Sequence, residues 1–306
     1  MKTREKLEPA TNLSLFDTAP LAPPVPVREP HDPQILAGTS AFTAAGWPGA
    51  FYPVNLKPAD YLRYYAARFP TVEIDSTFYG TPRPERVRAW YDKTPSDFVF
   101  AVKAPQVITH EKILKDCEAE LAEFLTTMEL LGEKLGPLLF QFGFISPGVL
   151  RNGAQFLARL APFLSKLPAF SSRPHRFAIE IRNKAWLAAP LLETLREHNV
   201  ALALTDHSLM PRPWESKPGA AELDEDLVTA DFAYVRWLGD RKAIEAVTTT
   251  WDQAVVDRRE DLLHWVRVFR ELRRRNLRVY AYANNHYAGH GPGTVKLFWD
   301  LYDRET

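Results

Sequence analysis

Two carboxylates stand two residues apart in the segment TVEIDST, Glu73 and Asp75. In an extended chain residues two apart share one face, so both project to the same side, opposite Val72 and Ile74. The same spacing recurs in FVFAVKA, which ends in Lys103, and in RFAIEIR, which aligns Ala178, Glu180 and Arg182. Thr39 and Ser40 close QILAGTS, Gln141 closes PLLFQFG, and Asp206 closes VALALTD ahead of His207. Arg236 interrupts FAYVRWLG, Asn284 and Asn285 close RVYAYANN, and Thr109 and His110 follow the Lys103 segment. Charged groups at the ends of apolar runs are costly to bury unless they meet one another. Their recurrence predicts one shared polar site suited to acid–base chemistry. Glu73 or Glu180 would serve as base, Lys103 as acid or charge stabiliser and His110 as a second proton carrier. Arg236 and Arg182 would clamp an anion, and Asn284 and Asn285 would orient substrate.

The elements that must position these groups are eight short apolar runs, beginning at residues 34, 71, 98, 137, 176, 200, 232 and 278. Each is rich in Val, Ile, Leu, Phe or Tyr. Helical patterns separate them, beginning at 58, 84, 118, 153, 188, 258 and 294. In the link between the sixth and seventh runs only AELDEDLVTA, from 221, resembles a helix. Strands alternating with helices predict an α/β fold, a single (β/α)8 barrel over residues 34–306, whose active site lies at the C-terminal ends of the strands. An open doubly wound sheet would call for a Gly-x-Gly-x-x-Gly turn after an early strand, and the sequence has none. Gly291 and Gly293, ahead of the last helix, predict backbone N–H groups that hold an anion, with Arg236 in reach. Trp186 would line the mouth with an indole suited to a flat or sugar-like ligand. Plainer roles stand beside these: an ion-pair layer inside the barrel for the charged groups, a helix cap for Asp206, turns for the asparagines and core packing for Trp186.

Charge excludes more than it suggests. Lys plus Arg is 38 and Asp plus Glu is 38, so nothing in the whole-chain charge draws nucleic acid or an anionic membrane. A single cysteine, Cys117, rules out a disulfide framework within the chain and a Cys-rich zinc site. No apolar run approaches the length of a membrane span and no secretory signal opens the chain, so a cytoplasmic protein with no membrane partner is expected. Residues 1–33 hold seven prolines and read as a flexible arm.

The segments AGTSAF, VEIDSTFYGTP, FVFAVKAPQVITH, GPLLFQF, AIEIRNKAW, YVRWLG and YAYANNH follow one another in this order. In this the sequence resembles the YecE-like family, domain of unknown function seventy-two, over residues 34–303. The resemblance implies a β/α barrel and a polar pocket involving Glu73, Lys103, Thr109, His110, Gln141, Glu180, Arg182, Arg236 and Asn285. It implies no reaction. Members of that family usually carry Asn where this chain has Asp75, so an added carboxylate would change the charge of the site or favour a cation. The loop AFTAAGWPG after the first strand also departs from the pattern.

Three functions follow as expectations. The first is an enzyme acting by acid–base chemistry on a small anionic substrate, phosphorylated or sugar-like, with no cofactor. The second is a nucleic-acid-linked phosphodiesterase or repair nuclease, holding Mg²⁺ or Mn²⁺ on Glu73, Asp75, Glu180 and Asp206. In support, NLSLF in the arm is similar to the short peptides that dock bacterial proteins on the replication sliding clamp, through Leu13, Leu15 and Phe16. The third is a metabolite-binding module without catalysis.

Overall fold

The computed structural model describes residues 31–170, 172–215, 223–224 and 227–304. The clamp-like segment with Leu13, Leu15 and Phe16 lies outside them. The last residues before the first strand are anchored: His31 stacks on Trp299 at 4.3 Å between ring centroids, and Asp32 accepts from Arg273 at 2.8 Å.

All eight expected strands form. They are β1 (Ile35–Thr39), β2 (Thr71–Ile74), β3 (Val99–Lys103), β4 (Leu135–Gln141), β5 (Phe177–Glu180), β6 (Ala201–His207), β7 (Phe232–Gly239) and β8 (Arg278–Ala283). The helices are α1 (Trp47–Ala50), α2 (Tyr61–Ala66), α3 (Pro84–Asp92), α4 (Glu118–Met128), α5 (Gly153–Lys166), α6 (Ala189–Glu197), α7 (Arg241–Glu245), α8 (Arg259–Arg274), α9 (Asn285–Ala288) and α10 (Gly291–Tyr302). Every ladder is parallel, and the order β1-β8-β7-β6-β5-β4-β3-β2 wraps into a barrel. The expected helix at 221–230 does not appear among the described residues. Instead the Thr229 hydroxyl donates to Val200 O and accepts from Leu202 N, both at 2.7 Å, which lays this stretch along the start of β6.

Side-chain size fills the lower lumen. Ala101, Ala178, Ala201 and Ala203 from β3, β5 and β6 face Phe232, Tyr234, Tyr280 and Tyr282 from β7 and β8. Small residues across from large ones reach close packing without voids. Between the barrel and its helices a second layer packs, with Trp237, Trp265, Phe269 and Phe298 in one part and Phe98, Phe100 and Phe140 in another.

β1 and β2 stand at the two ends of the strand order and are joined by a side chain. Tyr65 reaches in from α2; its hydroxyl donates to Thr71 O at 3.1 Å and accepts from Thr39 N at 2.8 Å. Gly38 is required beside it, because a Cβ there would come within 2.0 Å of the Thr71 carbonyl oxygen. Tyr65 and Thr71 are fully buried and Thr39 nearly so. Tyr65→Phe leaves a buried N–H and a buried carbonyl unpaired, so it should cost about 1–3 kcal/mol in urea unfolding. A change below about 0.5 kcal/mol would show that the seam closes without the phenol.

Candidate active site

Alternation places the polar groups. The inward positions that carry apolar side chains low in the barrel carry polar ones two residues later. Lys103 follows Ala101, Gln141 follows Leu139, Glu180 follows Ala178, Arg236 follows Tyr234, and Asn284 follows Tyr282. Glu73 follows Thr71, and Asp75 comes two residues higher. The sequence expectation of one convergent site therefore has a geometric basis in the pleat.

The floor of this site is an ion triad. Arg236 Nη2 donates to Glu73 Oε1 at 2.7 Å, and Arg236 Nη1 donates to Glu180 Oε2. Tyr234 donates its hydroxyl to Glu73 Oε2 at 2.6 Å, and Arg182 Nε donates to Glu180 Oε1 at 3.0 Å. All but Arg182 are buried. Burial alone would raise the Glu180 pKa, but Arg236 and Arg182 together pull it down to about 2. Arg236 Nε is buried with no acceptor among the described residues. Both glutamates are thus spent on arginine, which removes them from the base role that their types suggested.

Above the floor, Lys103 has no ion pair with any described residue. Its ammonium lies 4.0 Å from the centroid of the Phe78 ring. Burial first, then repulsion from Arg236, lowers its pKa to about 8, against the opposing pull of Glu180 and Glu73. Phe78 is set by a short turn after β2, in which Thr77 donates to Ile74 O or to Lys103 O, at 2.9 and 2.6 Å. His110 meets the same ring edge-on at 4.9 Å and sits 2.8 Å from Thr109 Oγ1 on a π-helical turn after β3. Burial, Lys103 and Arg182 lower its pKa. Asp75 is half-buried; burial, then the Glu73 charge, raise its pKa to about 6. It lines a cavity of about 300 Å³ with Thr39, Ser40, Trp251, Asn284, Asn285 and His286.

Phe78 and Tyr234 escaped the sequence reading, and His207 was named there without a role. His207 occupies the inward position after Thr205, and burial and Arg182 lower its pKa. The two-residue spacing of Tyr234 to Arg236 would have revealed the tyrosine. Tyr79, Phe144 and Leu209 stand exposed on the loops after β2, β4 and β6.

Several expected site residues do other work. Asp206 faces outward and accepts from Arg212, Trp265 and Tyr287, at 3.0, 3.1 and 3.0 Å. Thr39 is turned outward onto Tyr65. Asn285 Oδ1 accepts from Trp47 Nε1 at 3.2 Å and Gly291 N at 2.8 Å, so it latches two loops. That bond consumes the Gly291 N–H, and Gly293 lines a cavity outside the barrel with Arg68, Phe51 and Trp299, away from the mouth. The glycine segment therefore does not form the expected anion site with Arg236. Asn284 caps α9 and donates to Ser40 Oγ at 3.0 Å. Trp186 is core, stacked on Phe156 at 5.1 Å. The metal quartet does not assemble, because Arg236 holds Glu73 and Glu180 while Asp206 points away. Among the described residues no group of three or more His, Cys, Asp or Glu could hold a metal ion, and no helix is long and apolar enough to cross a membrane.

Glu180→Gln breaks one arm of the triad and should cost about 3–5 kcal/mol at neutral pH. A carboxylate with a depressed folded pKa contributes stability above its unfolded pKa and loses it as pH falls through the folded value. Wild-type stability should therefore fall between about pH 5 and pH 2, and the variant should fall less over that range. Urea midpoints measured across it would show parallel curves if the arginines do not hold Glu180.

Residues 36–306 match the model of a family described as protein of unknown function DUF72. UPF0759 protein YecE of Escherichia coli (strain K12) is 33% identical over 127 residues, 42% of this chain and 43% of that protein. UPF0759 protein YunF of Bacillus subtilis (strain 168) is 30% identical over 152 residues, 47% of this chain and 50% of that protein. The matched stretches thus span about half the length of these relatives. Among solved structures, a DUF72 family protein from Thermotoga maritima superposes with TM-score 0.63 at 26% identity, covering 89% of this chain and 98% of that one. A DUF72 family protein from Enterococcus faecalis gives the same TM-score at 21% identity, over 88% and 95%, and shares the fold. With the family pattern spread over nearly the whole barrel, the chain belongs to the DUF72 family.

Proposed function

We propose that this barrel is an enzyme that moves protons on a small anionic substrate at its mouth, with Asp75 and Lys103 as the acid–base pair. The observation that carries this reading is the unpaired Lys103 ammonium, half-buried over Phe78 while Arg236 takes both neighbouring glutamates. A lysine without a counter-ion supplies both a positive charge for an anion and a proton that is easily lost. Arg182 adds a second cation; its side chain is 29% exposed and only its Nε is bonded to a described residue. The 300 Å³ cavity that Asp75 lines suits a small polar molecule; Lys103 and Arg182 do not line it, and Lys103 stands on the strand next to β2. Proton transfer of this kind works best between groups titrating near the working pH. Asp75 at about 6 and Lys103 at about 8 bracket neutrality from either side.

A thermal-shift titration with phosphorylated and carboxylated sugars, beside their uncharged counterparts, tests the reading. Charged members should stabilise the wild type, and Lys103→Met should weaken the best of them at least ten-fold. Asp75→Asn should retain binding and lose turnover. Turnover of that ligand should be bell-shaped in pH, rising through about 6 as Asp75 loses its proton and falling above about 8 as Lys103 does. Equal shifts from charged and uncharged members, or undiminished binding in Lys103→Met, would refute it. A ligand bound by the same residues but never converted would make the barrel a binding module.

A further inference from the structure

We infer that Lys103 is a nucleophile, forming an imine with the carbonyl carbon of a small aldehyde or ketone that carries an anionic group. The inference rests on the acid–base reading above and adds the substrate class. Among the described residues, no carboxylate pairs with Lys103. Its ammonium faces an aromatic ring on one side and shares the mouth with two guanidiniums, Arg236 and Arg182. Desolvation and a neighbouring cation are the two devices that expose the lone pair of a lysine at neutral pH. The charged and titratable groups around it are Glu73 and Asp75 from β2 and its end, His110 from the turn after β3, Glu180 and Arg182 from β5, and Arg236 from β7. Three of these are tied to one another by hydrogen bonds, and Arg182 joins them through Glu180. They hold fixed charge around the nitrogen, which has no hydrogen-bonding partner among the described residues.

The step balances without a redox partner. Neutral Nζ attacks the carbonyl carbon and forms the C–N bond, while the π pair moves to oxygen. One N–H proton passes to that oxygen and gives the carbinolamine. The C–O bond then breaks with its electron pair, the oxygen takes a proton from the Asp75 carboxylic acid, and water leaves. The nitrogen lone pair closes the C=N bond, so a positive charge returns to the position of the ammonium, facing Glu73 and Glu180. Asp75 is left as carboxylate, able to remove a proton from the adjacent carbon, which the iminium has made acidic. Arg182 is the cation free to hold the anionic group. The kinetic bell is the same whether Lys103 acts charged or neutral, because a pH profile counts protons and does not locate them. A covalent trap is therefore needed.

The full chain should be incubated separately with glyoxylate, pyruvate and dihydroxyacetone phosphate in the presence of sodium borohydride, and its mass measured before and after digestion. The expected result is one adduct per chain with at least one of the three, mapping to the Lys103 peptide. It should be absent from Lys103→Arg and slowed several-fold in Asp75→Asn. Labelling that spreads over surface lysines equally in wild type and Lys103→Arg, or no labelling with any of the three, overturns the inference. Lys103→Arg also separates the two readings, since it keeps the charge and cannot form an imine. Loss of the adduct hypothesis with charged-ligand binding kept in Lys103→Arg and lost in Lys103→Met would leave the acid–base reading standing. Indifference of binding to both variants would remove both.

Discussion

One guanidinium organises this barrel. Arg236 comes from β7 and grips carboxylates from β2 and β5, strands that are not neighbours in the sheet. The bonds therefore cross the lumen and fix three strands in height relative to one another. Taking two carboxylates and an arginine out of water costs several kcal/mol per ion, and attraction compensates only when the remaining polar atoms are also satisfied. Tyr234 covers the free oxygen of Glu73, and Arg182 covers that of Glu180. The planar fork of arginine matters here, because its two terminal nitrogens reach two different acids at once, which a single ammonium could not do with the same geometry. The tyrosines and alanines below exist to seat this layer. The groups above it take their properties from what it consumes.

The consequence for chemistry runs against first appearances. A reader of the sequence gives the base role to the two glutamates, since they sit inside strands. Arg236 holds both, and Glu180, drawn down to about 2, is a poor proton acceptor near neutrality. The groups proposed to react are those the triad leaves over. Lys103 loses the carboxylates that would have paired with it, and Asp75 sits one step higher, where burial and then the Glu73 charge push its pKa up. An ion-pair layer and a functional site are therefore not rival descriptions of these residues. The layer is the support, and the site stands on it.

What could be read in the sequence follows from the period of a strand. The barrel, its eight strands and the convergence of Glu73, Lys103, Gln141, Glu180 and Arg236 were legible because alternation converts position into direction. Where the reading used the end of a strand in place of its parity, it failed. Asp206 lies one residue off the inward set, and a one-residue offset turns a side chain to the other face; Thr39 and Asn285 hold structural bonds and still line the cavity beside Asp75. His207, on the inward set, was passed over for the same reason. Gly291, Gly293 and Trp186 failed differently. Their roles depend on which side chain from another loop arrives, Asn285 in one case and Phe156 in another, and no local pattern records that. Phe78 was likewise out of reach, because a turn pinned by Thr77 to β3 aims it at Lys103.

The charge of the mouth shows why Asp75 deserves more weight than its place beyond the end of β2 suggests. Glu73 and Glu180 balance Arg236 and Arg182, so the floor as a whole is neutral. The remaining charge at the mouth is set by Lys103 and Asp75 alone, since burial and the nearby cations keep His110 and His207 toward their neutral forms. With both ionised the two charges offset each other. Protonation of Asp75, which its raised pKa makes inexpensive just below neutrality, leaves the Lys103 charge uncompensated. Asparagine at this position, the residue that the family resemblance leads one to expect, would leave the mouth permanently cationic with no group there to exchange a proton. The carboxylate therefore makes the charge of the mouth depend on a proton, where asparagine would fix it. In the proposed reading that coupling is what would separate a catalytic mouth from a merely attractive one, and it would depend on a single oxygen-for-nitrogen difference at residue 75.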